Sequence, residues 1–289
     1  MYQIILLLRP WQWIKNILIF IPFILSSQNT IDSLNKLIFI FIIFSLFVSS
    51  TYIFNDLKDV NTDRLHPIKK GRPIAAGKIS VSSAKLLALN FFISGLIISY
   101  LLDPSITVFF LAYAVFTYLY TMYFKYIFLL DTLSISIMFL IRVLIGSFAV
   151  KVPLTIYLGT FIFFTSCMLS ISKKISIVNS AKLNSDNSFY ALLKKQNAAF
   201  SFSKLFIFFG LISSISLLLW FLNLYGETRI FSDIILLGFT NVAFVFFVSN
   251  IYKYSLMGEL EDFSKELFKN KYLFFLATTI VVSFSIGYF

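Results

Sequence analysis

The sequence predicts an all-α integral membrane protein, a bundle of nine transmembrane helices, and two observations carry this prediction. First, 59% of the 289 residues are apolar and only 13% are charged, which is far from the composition of a soluble domain. Second, apolar stretches long enough to cross a hydrocarbon core of about 30 Å recur along the whole chain. Helices are the spanning structure that such continuous stretches favour, because each satisfies its own backbone hydrogen bonds in lipid.

The predicted spans follow one another with polar connections between them. They are residues 10–28, 37–54, 82–102, 105–123, 131–150, 154–172, 204–223, 231–251 and 271–288. The first span contains Pro10 and Pro22 and lacks a small-residue cleavage site, so it is predicted to be a retained helix and not a signal peptide. Because no linker or low-complexity tail separates a further domain, residues 1–289 are predicted to form a single domain.

The distribution of basic residues predicts the orientation. When the connections are assigned alternately to the two sides, one side receives every basic residue except Lys36, Lys151, Arg229 and the intramembrane Arg142. By the positive-inside rule the amino terminus and the long loops are cytoplasmic and the carboxyl terminus is external, in an inner membrane. The net charge of +11 is then explained by topology and by anionic membrane lipids, and no nucleic-acid partner is predicted.

Residues 55–77 form a dense block of acidic and then basic side chains. If its first part is helical, Asp56, Asp59 and Asp63 share one face, because they are spaced i, i+3 and i+7. Oxygen clusters of this kind suit Mg²⁺ bound to a phosphorylated substrate, and a diphosphate is the expected ligand. Asn55 would be a neutral oxygen ligand or an orienting group. The alternative is a solvated loop between two membrane helices, which would tolerate charges in any order.

Other polar residues are candidates for binding substrate phosphates. Arg72 could hold phosphate oxygens through its bidentate fork, and Lys69 could do so as a point charge. His66, beside a proline, would be either a hydrogen-bonding loop residue or a catalyst. Lys15, near the inner end of the first span, would either contact a lipid phosphate or extend to the membrane interface.

Arg142 interrupts an apolar run from Met138 to Leu144. An unpaired charge there costs at least a few kcal/mol, so its side chain is expected to face a cavity. It would bind a phosphate or form an ion pair with an acidic group such as Asp131. Lys125 and Asp131 frame the connection that precedes this span.

The order Asn-Asp-x-x-Asp-x-x-x-Asp resembles the first aspartate-rich motif of the UbiA superfamily of intramembrane prenyltransferases. The segments Arg9–Asn16 and His66–Gly77, and the run from Lys125 through Asp131 to Arg142 and Gly146, resemble its decaprenyl-phosphate phosphoribosyltransferase branch. The resemblance covers about the first 175 residues. It implies a nine-helix bundle with a central cavity open to the cytoplasm. The implied reaction is Mg²⁺-dependent transfer of phosphoribose from 5-phosphoribosyl diphosphate to a polyprenyl phosphate.

The resemblance also implies roles for individual residues. Asp56, Asp59 and Asp63 would be the catalytic carboxylates, and the loop of Lys125 and Asp131 would border the site. Lys173 and Lys174, after the sixth span, are further candidates for substrate binding. They stand where many superfamily members have a second acidic motif, and only Asp186 follows them closely. The last inner loop contains the acidic residues Glu259, Glu261 and Asp262 without the expected glycine and proline, so a second metal site is left open.

Two other functions remain as alternatives. Prenyl transfer from a prenyl diphosphate to an aromatic acceptor needs the same acidic cluster. A polytopic lipid or metabolite transporter would also be basic inside, but it would not need three carboxylates and an Arg-Pro loop in one connection. The segments Arg9–Asn16 and His66–Gly77 favour phosphoribosyl transfer.

Overall fold

The computed structural model describes residues 2–26, 30–65, 69–180, 195–197, 200–228, 234–260 and 263–288. Every regular element among them is a helix, which confirms the predicted all-α class. Predictions that involve His66, Pro67, Asp186, Arg229, Glu261 and Asp262 lie outside these residues. The chain divides into two compact units, Met1–Leu154 and Thr155–Phe289. That residues 1–289 act as a single domain stays a prediction.

The first unit is built around two well-buried helices. Its elements are α1 (Tyr2–Leu8), a 3₁₀ helix (Pro10–Phe20), α2 (Ile21–Ile24), α3 (Ile31–Lys58), α4 (Val60–Leu65), a 3₁₀ turn (Lys69–Gly71), α5 (Val81–Leu102), α6 (Pro104–Met122), a second 3₁₀ turn (Phe124–Tyr126) and α7 (Phe128–Val150). In α3 and α7, 56% of the apolar stretch is buried, against 17% in α5 and α6. The apolar side chains of α5 and α6 are therefore mostly available to lipid.

Aromatic side chains fill the core of this unit. Phe44 and Phe47 of α3 are fully buried, and each ring centroid lies 5.0 Å from that of Phe110 on α6. Gly95 lets α5 approach, because a Cβ there would come within 2.8 Å of the Phe47 ring. This packing holds α3 in place. The acidic block, which consists of Asp56, Asp59 and Asp63, begins in the last turn of α3 and continues into α4.

The first predicted span, residues 10–28, is not a single straight α-helix. It begins earlier, at Tyr2, and bends by 46° at a break between α1 and the 3₁₀ helix. Pro10 explains the break, because proline disfavours the α conformation in the residue before it. Arg9 accordingly adopts a left-handed conformation, with φ 53° and ψ 56°.

The second unit consists of α8 (Ile156–Asn179), α9 (Phe202–Thr228), α10 (Ile234–Leu256), α11 (Phe263–Lys269) and α12 (Lys271–Tyr288). Helix α8 packs against α9 and α10, and α10 packs against α12. Helix α8 continues beyond the predicted end of its span at residue 172.

Seven helices of the described chain are long and apolar enough to cross a membrane, and the bent first pair makes an eighth candidate span. The ninth predicted span corresponds to α12, a shorter apolar helix. The count of nine crossings and the opening of a cavity to the cytoplasm therefore stay predictions.

Candidate functional site

The three predicted carboxylates follow a nearly continuous helical path. Helix α3 ends at Lys58 and α4 begins at Val60, with Asp59 between them. Helical hydrogen bonds persist through the join, because the amide of Asp59 donates to the Asn55 carbonyl at 2.9 Å and that of Asp63 to the Asp59 carbonyl at 2.8 Å. Asp56 and Asp63 are each only 3% exposed. The helical spacing predicted from the sequence is therefore present, and two of the carboxylates are buried.

Two arginines neutralise the buried carboxylates. Arg9 Nη2 donates to Asp56 Oδ1 and Oδ2 at 2.6 and 2.7 Å. Arg72 Nη1 donates to Asp56 Oδ1 at 2.9 Å and to Asp63 Oδ2 at 2.7 Å. Asp56 and Asp63 thus converge on a single nitrogen of Arg72. Removing one member of a buried pair of this kind costs about 3–5 kcal/mol, because it leaves an uncompensated charge.

The third carboxylate has a different partner. Asp59 Oδ2 lies 3.9 Å from Lys125 Nζ, which also lies 5.0 Å from the centroid of the Tyr126 ring. The neighbouring Lys58 Nζ donates to the Thr121 carbonyl at 3.0 Å and joins the end of α3 to that of α6. The sequence-predicted Lys125 is therefore brought to the acidic block, at Asp59.

The loop that carries Arg72 is held by its own backbone and by one apolar anchor. Amides of Gly77 and Lys78 donate to the carbonyls of Ile74 and Pro73 at 3.0 and 2.9 Å. Gly77 has a φ of 70°, a left-handed conformation that glycine adopts without strain. Ile74 is 2% exposed and packs in a small apolar cluster with Leu7 and Ile53. This anchoring brings Arg72 to the carboxylates.

A hydrogen-bonded contact with α3 fixes Arg9. The break after α1 frees the Leu8 carbonyl, which accepts from Ser49 Oγ at 2.7 Å, and Ser49 Oγ in turn accepts from Trp13 Nε1 at 3.0 Å. The guanidinium of Arg9 lies 5.5 Å from the centroid of the Tyr52 ring, a cation–π arrangement. The segment Arg9–Asn16 thus places Arg9 and Trp13 against α3.

Arg142 is 3% exposed and is surrounded by neutral acceptors. Its Nε donates to Asn16 Oδ1 at 2.8 Å, its Nη1 to the Met138 carbonyl at 2.6 Å and its Nη2 to the Tyr113 hydroxyl at 3.0 Å. The predicted alternative of an ion pair with Asp131 is wrong, because that residue lies about three turns earlier on the same helix. No carboxylate among the described residues pairs with Arg142.

The remaining predicted residues are more scattered. Lys15 lies half-buried in the 3₁₀ helix, Asn55 is half-buried near the end of α3, and Lys69 is exposed in its turn. Asp131 lies in the first turn of α7 and accepts a hydrogen bond from the Tyr120 hydroxyl. Lys173 and Lys174 are on α8 of the second unit, the former exposed and the latter buried. They are helical residues and not loop residues, since α8 continues past them to Asn179.

The residues around the acidic block suit Mg²⁺ in type, although the described chain has no cluster of three or more acidic, histidine or cysteine residues arranged as a metal site. Carboxylate oxygens are the ligands this ion prefers. Asp56 and Asp63 already meet at one cationic atom, so their separation fits a shared cation. Asp59, in contrast, is directed to Lys125. Two of the three carboxylates, Asp56 and Asp63, are therefore placed to share one Mg²⁺ ion.

Sequence reasoning missed three partners, namely Arg9, Asn16 and Tyr113. Arg9 and Asn16 are the two ends of the segment Arg9–Asn16, but the sequence of this segment does not determine what each side chain contacts. A signal was present for Arg9, because a carboxylate as close to the membrane as Asp56 needs a cation nearby. No comparable sequence signal points to Tyr113, which is one of 15 tyrosines.

Comparisons with known proteins agree with the fold. A family model described as the UbiA prenyltransferase family matches residues 16–257. Decaprenyl-phosphate phosphoribosyltransferases of Mycolicibacterium smegmatis and Mycobacterium tuberculosis are 32% and 28% identical to the chain. The matches span 179 and 180 residues, which are 60% and 61% of this chain and 56% and 60% of those proteins. The chain therefore spans less than two thirds of the length of these curated relatives.

Two solved structures share the fold over nearly the whole chain. One is a digeranylgeranylglyceryl phosphate synthase, with a TM-score of 0.70, 19% identity and 99% of both chains covered. The other is a UbiA homologue of Archaeoglobus fulgidus bound to DMAPP and Mg²⁺, with a TM-score of 0.67, 17% identity and 98% of both chains covered. At these identities the likeness concerns the fold alone.

Proposed function

Because the chain belongs to the UbiA prenyltransferase family, we propose that this membrane transferase moves 5-phosphoribose from 5-phosphoribosyl diphosphate to a decaprenyl-like polyprenyl phosphate. The observation that carries the proposal is the convergence of Asp56 and Asp63 on one cationic atom, in a segment whose sequence resembles the phosphoribosyltransferase branch. The relatives named decaprenyl-phosphate phosphoribosyltransferase support the same choice of substrates.

In this reaction an oxygen of the lipid phosphate forms a bond to C1 of the ribose. The bond between C1 and the diphosphate oxygen breaks, and its electron pair leaves with pyrophosphate. Mg²⁺, when bound, would neutralise the charge that builds on the leaving group. Asp56 and Asp63 would hold it, with Asp59 and Asn55 as the further candidate ligands.

The basic side chains would bind the anions. Arg72 and Arg9 each present a planar fork that matches two phosphate oxygens, and both already lie at the carboxylates. Lys125, near Asp59, and Lys69, in the 3₁₀ turn that precedes Arg72, would add point charges for the phosphates of the donor. Lys15, His66, Lys173 and Lys174 stay proposed substrate contacts on sequence grounds.

The reaction needs a water-soluble donor and a lipid acceptor at one place. Carboxylates at the end of α3, next to a loop rich in lysine and arginine, suit that requirement when this end faces the cytoplasm of an inner membrane. The amino terminus would then also be cytoplasmic and the carboxyl terminus external.

Prenyl transfer to an aromatic acceptor is the second candidate. The Archaeoglobus fulgidus homologue of the same fold bound to DMAPP and Mg²⁺ favours it. In that reaction pyrophosphate leaves from the lipid and not from the sugar. The two candidates therefore differ in which substrate carries the diphosphate.

Purified full-length protein in lipid vesicles, supplied with Mg²⁺, distinguishes them. One reaction contains radiolabelled 5-phosphoribosyl diphosphate and polyprenyl phosphate, and the other contains a prenyl diphosphate and a set of aromatic acceptors. We expect label from ribose in the lipid phase of the first reaction. A prenylated aromatic product, with no ribose transferred to any polyprenyl phosphate, would overturn the proposal.

A further inference from the structure

The three carboxylates of the acidic block are matched in number by three basic side chains. Asp56 is bound by Arg9 and Arg72, Asp63 by Arg72, and Asp59 lies near Lys125. The formal charges of these six groups sum to zero. The block is therefore not an open anionic site but one whose charge is already balanced by the protein itself.

A divalent cation that entered alone would meet this balanced arrangement. It would have to displace guanidinium groups that lie 2.6–2.9 Å from the oxygens it needs, and it would leave a net charge of +2 among partly buried groups. Such an excess is unfavourable where the surroundings screen charge poorly. A complex of one divalent ion with a diphosphate carries a net negative charge. Its phosphate oxygens can bind the guanidinium groups that the metal displaces from the carboxylates.

We infer that Arg9 and Arg72 keep the empty site neutral, exclude the bare metal ion, and let the metal enter together with its diphosphate. The inference rests on the proposed function, since it takes Asp56 and Asp63 as metal ligands. It assigns the two arginines a second task besides binding phosphate, that of competing with the metal for the same carboxylates.

The positions of the two arginines suit such an exchange. The side chains of Asp56 and Asp63 are each 4% exposed and belong to α3 and α4, whereas the side chains of Arg9 and Arg72 are 20% and 26% exposed. Both arginines lie outside α-helices, Arg9 at the bend after α1 and Arg72 in the loop before α5. The buried oxygens are thus fixed on helices, while their partners sit on connecting backbone with access to solvent.

Metal binding without turnover tests the inference. Purified full-length protein in detergent is dialysed to equilibrium against Mn²⁺, which takes the same oxygen ligands, with and without inorganic pyrophosphate. The retained Mn²⁺ is then counted. The variants are Arg72→Gln and Arg9→Gln, each of which removes one of the competing charges. Lys70→Gln is the matched control, because Lys70 is an exposed cation of the same loop.

We expect the unmodified protein to bind Mn²⁺ at least about tenfold more tightly with pyrophosphate than without it, from one unit charge at close range. Without pyrophosphate, Arg72→Gln should bind Mn²⁺ about tenfold more tightly than the unmodified protein, by the same charge argument. Arg9→Gln should act in the same direction, and it serves as the test if Arg72→Gln does not yield folded protein. Lys70→Gln should match the unmodified protein.

Two results would overturn the inference. One is equal Mn²⁺ affinity of the unmodified protein with and without pyrophosphate, and the other is no gain in either folded arginine variant. Both would leave the carboxylates standing as a metal site. Failure of the premise taken from the proposed function, that Asp56 and Asp63 bind the metal, has a different signature, since no form of the protein would then retain Mn²⁺ under either condition. Failure of phosphoribosyl transfer alone would show in the ribose-transfer assay and would leave Mn²⁺ retention unchanged.

Discussion

Replacing Arg142 with lysine should destabilise the protein, because lysine cannot reproduce the three hydrogen bonds of the guanidinium. These bonds run to Asn16, Met138 and Tyr113, at 2.8, 2.6 and 3.0 Å. A single ammonium could keep the bond to the Met138 carbonyl of its own helix. Loss of the other two, at about 1.5–3 kcal/mol for each bond to a charged group, predicts a destabilisation of roughly 3 kcal/mol or more.

Equilibrium unfolding in mixed micelles measures this loss, and steady-state kinetics on the same protein measures the Michaelis constants. Arg64→Lys is the control, because Arg64 is exposed and its Nε makes a weak contact with the Ala75 carbonyl, at 3.4 Å. Combining Arg142→Lys with Asn16→Ala tests the pair directly. The double variant should lose less free energy of unfolding than the sum of the two single losses, by about 0.5–3 kcal/mol, as for residues in one hydrogen-bonded network.

A variant Arg142→Lys that unfolds like the unmodified protein would refute this reasoning. If that variant also raised the Michaelis constant for the diphosphate donor, Arg142 would be a phosphate-binding residue instead. The structure supports the loss of stability, because the three bonds join Arg142 to Asn16, Met138 and Tyr113 of the protein itself.

Three further predictions concern other parts of the structure. Gly146→Ala should lower thermal stability, because a Cβ there would overlap the Ile19 carbonyl oxygen. Gly238→Ala, which meets open space, should be neutral or slightly stabilising in the same melting assay. Ser49→Ala should lower the free energy of unfolding by about 1–3 kcal/mol by leaving the Leu8 carbonyl and Trp13 Nε1 unpaired, and an unchanged unfolding curve would count against that contact. The orientation is tested by cysteine labelling, in which the buried native Cys167 should give little background. A cysteine introduced by Lys70→Cys should react with an impermeant thiol reagent only after cells are permeabilised, and one introduced by Lys151→Cys should react in intact cells. The reverse pattern would invert the predicted topology.

Hydropathy predicted the positions of most helices because lipid allows few alternatives for an apolar stretch of this length. The shape of the first span was harder to predict. Pro10 gave a local signal for a break, but no local signal pointed to the 3₁₀ conformation of Pro10–Phe20, a segment that packs against α3 and α7. The extension of α8 through Lys173 and Lys174 was also missed, because charged residues usually mark the end of a span.

At the candidate site, the sequence predicted what is local. The spacing of Asp56, Asp59 and Asp63 follows from helical geometry, and α3 and α4 provide it. Contacts between distant segments are not local, and a pattern within one segment does not determine them. The pairing of Asp56 with Arg9, 47 residues away, is one example. Arg142 with Asn16, 126 residues away, is another.

The most direct test of the central claim, a metal-dependent transfer centred on the carboxylates, is the turnover of Asp56→Asn, Asp59→Asn and Asp63→Asn. Each change keeps the size of the side chain and removes its charge, and turnover should fall about a hundredfold, as when one preorganised electrostatic contact is lost. Asp103→Asn is the control, because Asp103 caps α6 through the Ser105 amide and asparagine caps equally well. Full activity in all three folded variants, or activity that a chelator of divalent cations leaves unchanged, would contradict the account.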